Sequence, residues 1–90
     1  MLSFLPKSSV GIMQELQVKF KKQRKTLGYT QQELANRSGV SLGSLKRFEG
    51  SGQISLESLL KLALVLECLE DFEEICNEKE KIPQSIEELL

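Results

Sequence analysis

The sequence contains no histidine and no tryptophan, and only two cysteines among its 90 residues. Histidine is the commonest general base in enzymes and a frequent metal ligand, and a structural zinc site needs four ligands. The chain also has no glycine-rich phosphate loop and no cysteine close to a base. These absences predict a protein that is not an enzyme and that binds no metal or cofactor.

The two cysteines, Cys68 and Cys76, lie eight positions apart in a leucine-rich stretch. Two turns of helix at that spacing hold the sulfur atoms too far apart for a disulfide. We therefore expect both to be small buried hydrophobic residues in a reducing compartment. Long apolar runs are also missing, and residues 1–9 resemble neither a signal peptide nor a membrane span. We expect a cytoplasmic protein without membrane contact.

The formal net charge of −1 conceals an uneven distribution along the chain. Residues 1–66 hold ten basic and four acidic side chains, whereas residues 67–90 hold nine acidic and two basic ones. A basic first part favours a polyanionic partner. Two solvated faces of opposite sign would give the same composition, so charge alone leaves both interpretations open.

The spacing of apolar residues predicts five helices and no strand. The first helix covers about residues 9–26, where Ile12, Leu16 and Phe20 form one apolar stripe. A leucine-rich run beginning near Ser55 predicts a central core helix, and a short fifth helix covers residues 69–76. The predicted fold is an all-α, compact five-helix bundle. It has an N-terminal extension (1–8), one domain (9–76) and an acidic C-terminal tail (77–90).

The most informative segment runs from Thr30 to Glu49. Thr30 and Glu33 form a capping box, in which a hydroxyl and a carboxylate close the start of a helix. Gly39 suits a left-handed turn, and Ser41 caps the next helix. Two short helices joined by so tight a turn must cross steeply, which is the geometry of a helix-turn-helix. The outer face of the second helix is then left free to enter a major groove.

This segment resembles the Cro/repressor-type (XRE) helix-turn-helix family. The matching residues read YTQQELANRSGVSLGSLKRFEG at 29–50, followed by LESLLKLALVL at 56–66. The resemblance covers about residues 16–75. The family fold is a compact bundle of five helices that usually works as a dimer on two DNA half-sites. The resemblance therefore implies double-stranded DNA as the partner, read by the helix around residues 41–49.

The resemblance also implies roles for single residues. It implies base contacts by Leu42, Gly43, Ser44, Lys46 and Arg47, phosphate contacts by Gln31, Gln32 and Ser41, and a structural salt bridge between Arg24 and Glu49. Arg47 is the strongest base-reading candidate, because a guanidinium pairs with guanine through two hydrogen bonds. The alternatives are that Arg47 lies on the backbone, that Leu42 belongs partly to the core, and that Gln31 only starts its helix.

Four features qualify this assignment. Gly43 leaves a base-facing position without a side chain, so either the backbone approaches DNA there or that base pair is read weakly. Gln23 stands where the family often has leucine, and Glu67 where it often has glycine. The lysines at positions 19, 21, 22 and 25 cannot all face DNA around one helix, and we expect most of them to be solvated.

The acidic last third is expected to face away from DNA. It offers apolar residues where the family commonly dimerises, or where they simply cap the core: Leu66, Leu69, Phe72 and Ile75. The end of the chain, IPQSIEELL, weakly resembles antitoxin regulators encoded with HipA-type toxin kinases. Two functions are therefore predicted, and they are compatible. One is a sequence-specific regulator, most simply a dimeric repressor on a palindromic operator. The other is an antitoxin that neutralises a partner toxin kinase and autoregulates its operon.

Overall fold

We obtained a computed structural model of the chain, which describes residues 7–78. Within that range it contains five helices and no strand: α1 (Ser9–Thr26), α2 (Gln31–Ser38), α3 (Leu42–Ser51), α4 (Leu56–Val65) and α5 (Glu70–Glu73). The predicted all-α fold with five helices is thus confirmed. Most of the predicted N-terminal extension and of the acidic tail, residues 1–6 and 79–90, lies outside the described residues.

The first four helices begin at a hydroxyl side chain that accepts a backbone N–H of the first turn, which otherwise has no partner. The pairs are Ser8 with Gly11, Thr30 with Glu33, Ser41 with Ser44, and Ser55 with Ser58. At Thr30 the capping box is complete, because the Thr30 N–H also donates to the Glu33 carboxylate at 2.8 Å. Short-range side-chain chemistry therefore sets where these helices start.

Two glycines set the turns that bring α2 and α3 together and end α3. Gly39 has φ +81°, and its N–H donates to the Ala35 carbonyl. Gly52 has φ +82° and ends α3. A Cβ on Gly52 would lie 3.4 Å from the Met13 carbonyl oxygen, an ordinary contact distance, so its backbone conformation is what favours glycine. Both positions need a left-handed backbone that other residues adopt only with strain.

The core lies behind the α2–α3 pair, with α1 packed on α3 and α4 packed on α2. Phe20 meets Phe48 edge to face, with ring centroids 5.6 Å apart. Ala35 of α2 and Val40 of the turn between α2 and α3 are buried. The residues with the most complete burial are Phe48, Leu34, Leu45, Leu62 and Leu66. This packing fixes the inner side of α3 and leaves its outer side free.

Two sequence predictions are wrong at the C-terminal edge of the bundle, and the apolar stripe of α1 is only partly buried. Ile12 is 39% exposed. The fifth helix is shorter than predicted: Leu69 gives it no side-chain cap, and it carries acidic rather than basic residues toward its C-terminus. Cys76 lies beyond it, exposed and at φ +63°, and is not a core residue. Cys68 is half-buried, and burial together with nearby Asp71 raises the pKa of its thiol.

Glu67 occupies a backbone position that favours glycine. It follows α4 at φ +65°, and the Cys68 N–H donates to the Ala63 carbonyl across it. This is the closing motif in which helices usually place glycine, and α1 ends in the same way with Gly28 at φ +82°. The Gln23 amide donates to the neighbouring Leu66 carbonyl at 2.9 Å, which adds a tertiary bond at this end of α4.

We expect Glu67→Gly to raise the free energy of unfolding by about 0.5–1 kcal/mol. A left-handed backbone costs a side-chain-bearing residue about 1–2 kcal/mol, and the extra freedom of glycine in the unfolded chain offsets part of the gain. Urea denaturation followed by circular dichroism measures the change. Glu67→Ala is the control, because it removes the same charge but keeps the strain. An equal gain with alanine would show that the backbone is not the cause.

Candidate nucleic-acid interface

The two sides of α3 differ sharply in exposure. On the inner side, Leu45 and Phe48 are each 1% exposed and hold the helix on the core. On the outer side, Gly43, Lys46 and Arg47 are all exposed. Nothing lies within 4 Å of a Cβ built on Gly43, so this part of the helix has an open approach to its backbone. The outer side of α3 therefore has no side chain at Gly43 near its start and is positively charged at Lys46 and Arg47.

The five predicted base-reading residues do not share one environment. Three of them form the outer side just described, whereas Leu42 and Ser44 are half-buried. Leu42 packs partly against the core. Ser44 donates its backbone N–H to the Ser41 hydroxyl and accepts the hydroxyl proton of Ser41 at 3.0 Å. Leu42 and Ser44 thus already have contacts within the domain.

Two predicted phosphate-contacting residues lie at exposed helix starts. Ser41 caps α3, and its hydroxyl is already engaged with Ser44. Gln32, in the first turn of α2, is exposed and donates its side-chain amide to the Asn36 side chain at 2.9 Å. Helix starts carry a partial positive charge and free backbone N–H groups, which suits an anion such as a phosphate.

Arg24 of α1 and Glu49 of α3 form a buried ion pair behind the outer side of α3. Arg24 Nε donates to Glu49 Oε2 at 2.7 Å and Arg24 Nη2 donates to Oε1 at 3.0 Å. Their side chains are only 9% and 4% exposed. Arg24 Nη1 also donates to the Tyr29 carbonyl at 2.9 Å, just before α2. The two-pronged geometry fixes α3 against α1 in one orientation.

Two glutamines complete the contacts of Glu49. Gln31, the third predicted phosphate-contacting residue, is half-buried at the start of α2 and donates its amide to Glu49 Oε1 at 2.9 Å. Gln17 of α1 donates its amide to the Glu49 backbone carbonyl at 2.8 Å. Sequence reasoning did not find Gln17. Its position seven residues before Arg24 places both on one face of α1, but that spacing does not indicate its partner. Three helices therefore converge on one glutamate.

Glu49 stays ionised because its partners outweigh its burial. Burial alone would raise the pKa of this carboxyl. Hydrogen bonds from Arg24 and Gln31, and the positive charges of Arg24 and Lys21, lower the pKa below its ordinary value. The carboxylate is therefore charged at neutral pH and keeps its bonds to α1 and α2.

The apolar residues predicted to form a dimer surface separate into two groups. Leu66 is 0% exposed and belongs to the core, so its assignment to an interface is wrong: the last turn of α4 points it inward. Leu69 and Phe72 are half-buried, and the Phe72 ring meets Phe20 at 6.3 Å. Ile75 is 61% exposed. Phe72 and Ile75 line one groove together with residues of α1 and with Glu67, Cys68 and Asp71.

Comparison with known protein families gives one finding. A family model described as helix-turn-helix matches residues 20–72, which is more than half of the chain and includes α2, α3 and α4 entirely. No curated protein and no solved structure gives a significant match. Among the described helices, none is long and apolar enough to cross a membrane.

Proposed function

Since this chain belongs to the Cro/repressor (XRE) type of the helix-turn-helix family, and is therefore a DNA-binding regulator of transcription, we propose that it is a repressor. In this proposal it acts without catalytic activity, as a dimer on a palindromic operator. The observation that carries the proposal is the outer side of α3. Gly43, Lys46 and Arg47 are exposed there on a helix that a buried ion pair holds from behind.

Base recognition is assigned to the part of α3 that can enter a major groove. Arg47 pairs with guanine O6 and N7, and Lys46 contacts a neighbouring base or phosphate. The half-buried Leu42 offers the exposed part of its side chain to a thymine methyl group. Gln31, Gln32 and Ser41 contact phosphates at the starts of α2 and α3 and set the register of the helix on the duplex.

The test of this proposal is selection of bound duplexes from a random pool at near-physiological salt. We expect a palindrome whose half-sites are centred about one helical turn apart, roughly 34 Å. A repressor further requires that the selected site reduce transcription when it overlaps a promoter in a reporter assay. If no sequence is enriched and binding only weakens as salt rises, the protein binds DNA through nonspecific electrostatic attraction and is not a sequence-specific repressor.

The dimer surface is proposed to be the groove between α1 and α5. Ile12, Phe72 and Ile75 supply its apolar part, while Lys19 and Asp71 lie in the same groove with opposite charges. A two-fold axis places the same patch on both subunits, so Lys19 of one subunit faces Asp71 of the other. This arrangement combines apolar burial with charge complementarity.

We expect Ile75→Glu to convert the dimer into a monomer, as measured by sedimentation velocity, and to weaken operator binding. The change places a charge on a residue that is 61% exposed in the single chain, so the fold tolerates it. Leu64→Glu is the matched control, because Leu64 is 64% exposed on α4 and does not line the groove. Dissociation by the Leu64 variant and not by the Ile75 variant would place the dimer surface on α4.

The antitoxin alternative depends on residues 82–90, which lie outside the described residues. Its expected signature is a toxin kinase that co-purifies with the full chain and is lost on truncation after Ile75, while DNA binding persists. The described residues add no second feature in its favour, and we therefore propose the repressor.

A further inference from the structure

A cationic groove lies between α1 and the end of α3. Lys21, Lys22 and Lys25 line it together with Gln17, Thr26 and Glu49. The three lysines follow Val18 at the helical spacing of three, four and seven residues, so one face of α1 carries all three. No acidic residue among those described forms an ion pair with them. Their charges are therefore available to an outside partner.

This groove is distinct from the proposed dimer groove on another face of α1. The fourth lysine of the cluster, Lys19, lines the dimer groove with Asp71. The lysines of α1 are thus divided between two surfaces. One is mixed in charge and largely apolar. The other carries three lysines, and the single acidic residue that lines it, Glu49, already has the Arg24 guanidinium as its partner.

The cationic groove adjoins the helix-turn-helix surface through Glu49. Glu49 lines the groove, and its Oε1 atom accepts the Gln31 amide at the start of α2. Gln31 is in turn adjacent to Gln32 and to the exposed start of α2. The cationic groove and the start of α2 therefore meet at the same residue, Glu49.

We propose that Lys21, Lys22 and Lys25 bind the phosphate backbone of the DNA duplex beyond the segment held by α2 and α3. This inference rests on DNA binding by the helix-turn-helix. It assigns to α1 a sequence-independent contribution to affinity, since lysine meets a phosphate as a point charge and reads no base. The ligand is duplex DNA because the groove is cationic and shares Glu49 with the α2–α3 pair, to which DNA binding is assigned.

The experiment compares the salt dependence of binding for two charge-matched double variants. Lys21→Gln/Lys25→Gln removes two groove lysines, and Lys7→Gln/Lys61→Gln removes two exposed lysines elsewhere that pair with Glu15 and Glu57. The probes are the selected operator and a scrambled duplex of the same length, followed by fluorescence anisotropy between 50 and 200 mM salt. Circular dichroism checks that both variants keep the wild-type helix content.

Log K, where K is the association constant, falls as log salt rises. We expect the groove double variant to make this fall less steep by about 0.9 per lysine removed from the complex, on both duplexes. Adding Lys22→Gln reduces the steepness by about 0.9 more for each bound subunit, whereas the control pair leaves the slope near that of the wild type. An unchanged slope in the groove variant, or an equal change of slope in the control variant, overturns the proposal that the groove lysines bind DNA, but not the proposed function. A wild-type protein that binds neither duplex overturns the proposed function as well.

Discussion

Glu49→Ala is expected to lower the free energy of unfolding by about 3–5 kcal/mol, the usual cost of removing one partner from a buried ion pair. The Arg24 guanidinium, 9% exposed, would be left without its counter-charge, and Gln31 would lose its acceptor. Domains of this size are stable by only about 5–15 kcal/mol, so the substitution would remove a large share of the total stability. Chemical denaturation followed by circular dichroism measures the loss.

Two variants separate the ion pair from other effects of the substitution. Arg24→Met/Glu49→Met removes both charges and keeps side-chain volume, and we expect it to be clearly more stable than Glu49→Ala. Glu57→Ala breaks an exposed pair with Lys61 and should cost less than about 1 kcal/mol. A Glu49→Ala protein as stable as the Glu57 control would show that the buried pair contributes nothing.

The acid limb of the stability curve provides a second readout of the same pair. The pKa of Glu49 is lower in the folded chain than its ordinary value of 4.5. Its contribution to stability is therefore complete above that value and is lost as pH falls through the lower, folded pKa. The methionine double variant lacks this carboxylate, so its stability should fall less as the pH is lowered below 4.5. The exposed Glu33, whose pKa the Thr30 backbone N–H lowers, remains in both proteins as a common background.

Arg47→Ala is expected to weaken operator binding by about 1–3 kcal/mol for each half-site and to relax the preference at one base pair of that half-site. Arg47 is exposed on the outer side of α3 and has room to present its guanidinium to a base edge. A residue that only contacts phosphate would instead weaken all sequences alike and reduce the salt slope. Repeating the selection with the variant distinguishes the two, since only base reading changes the selected sequence.

Arg37→Ala is the matched control for Arg47. It removes the same charge from an exposed arginine of α2, whose guanidinium lies 4.8 Å from the centre of the Tyr29 ring. We expect this variant to keep the selected sequence. If the Arg37 variant relaxed one base pair and the Arg47 variant did not, α2 and not α3 would carry the specificity.

Local signals in the sequence were enough to predict the helices and the turn between α2 and α3. The capping box at Thr30 and the left-handed Gly39 each depend on residues within four positions, and both occur as expected. The Arg24–Glu49 contact joins distant helices, and its prediction came from the family resemblance and not from local spacing. Matching a sequence to a family identifies such pairs of distant residues, because the family's fold brings them together. Patterns of neighbouring residues do not contain this information.

Contacts decided only by three-dimensional packing escaped prediction. Gln17 bonds a carbonyl 32 positions away, and no local pattern indicates that partner. Leu66 has the same apolar character as Leu69, and the family resemblance places both at the dimer surface, although the end of α4 turns Leu66 into the core. Cys76 was expected to be buried because the fifth helix was extended over it, and that helix ends at Glu73.

The separation of charge along the chain has a consequence for the approach to DNA. Residues 67–78 hold six acidic side chains and no basic one, whereas the lysine groove and the outer side of α3 are cationic. Because the whole chain is close to neutral, DNA attracts it only weakly at long range. Salt screening also limits electrostatic interactions to about 10 Å. Within that range the acidic end is repelled and the cationic side attracted. Most productive encounters should therefore begin with the molecule already turned toward the duplex, which shortens the orientational search that limits association rates.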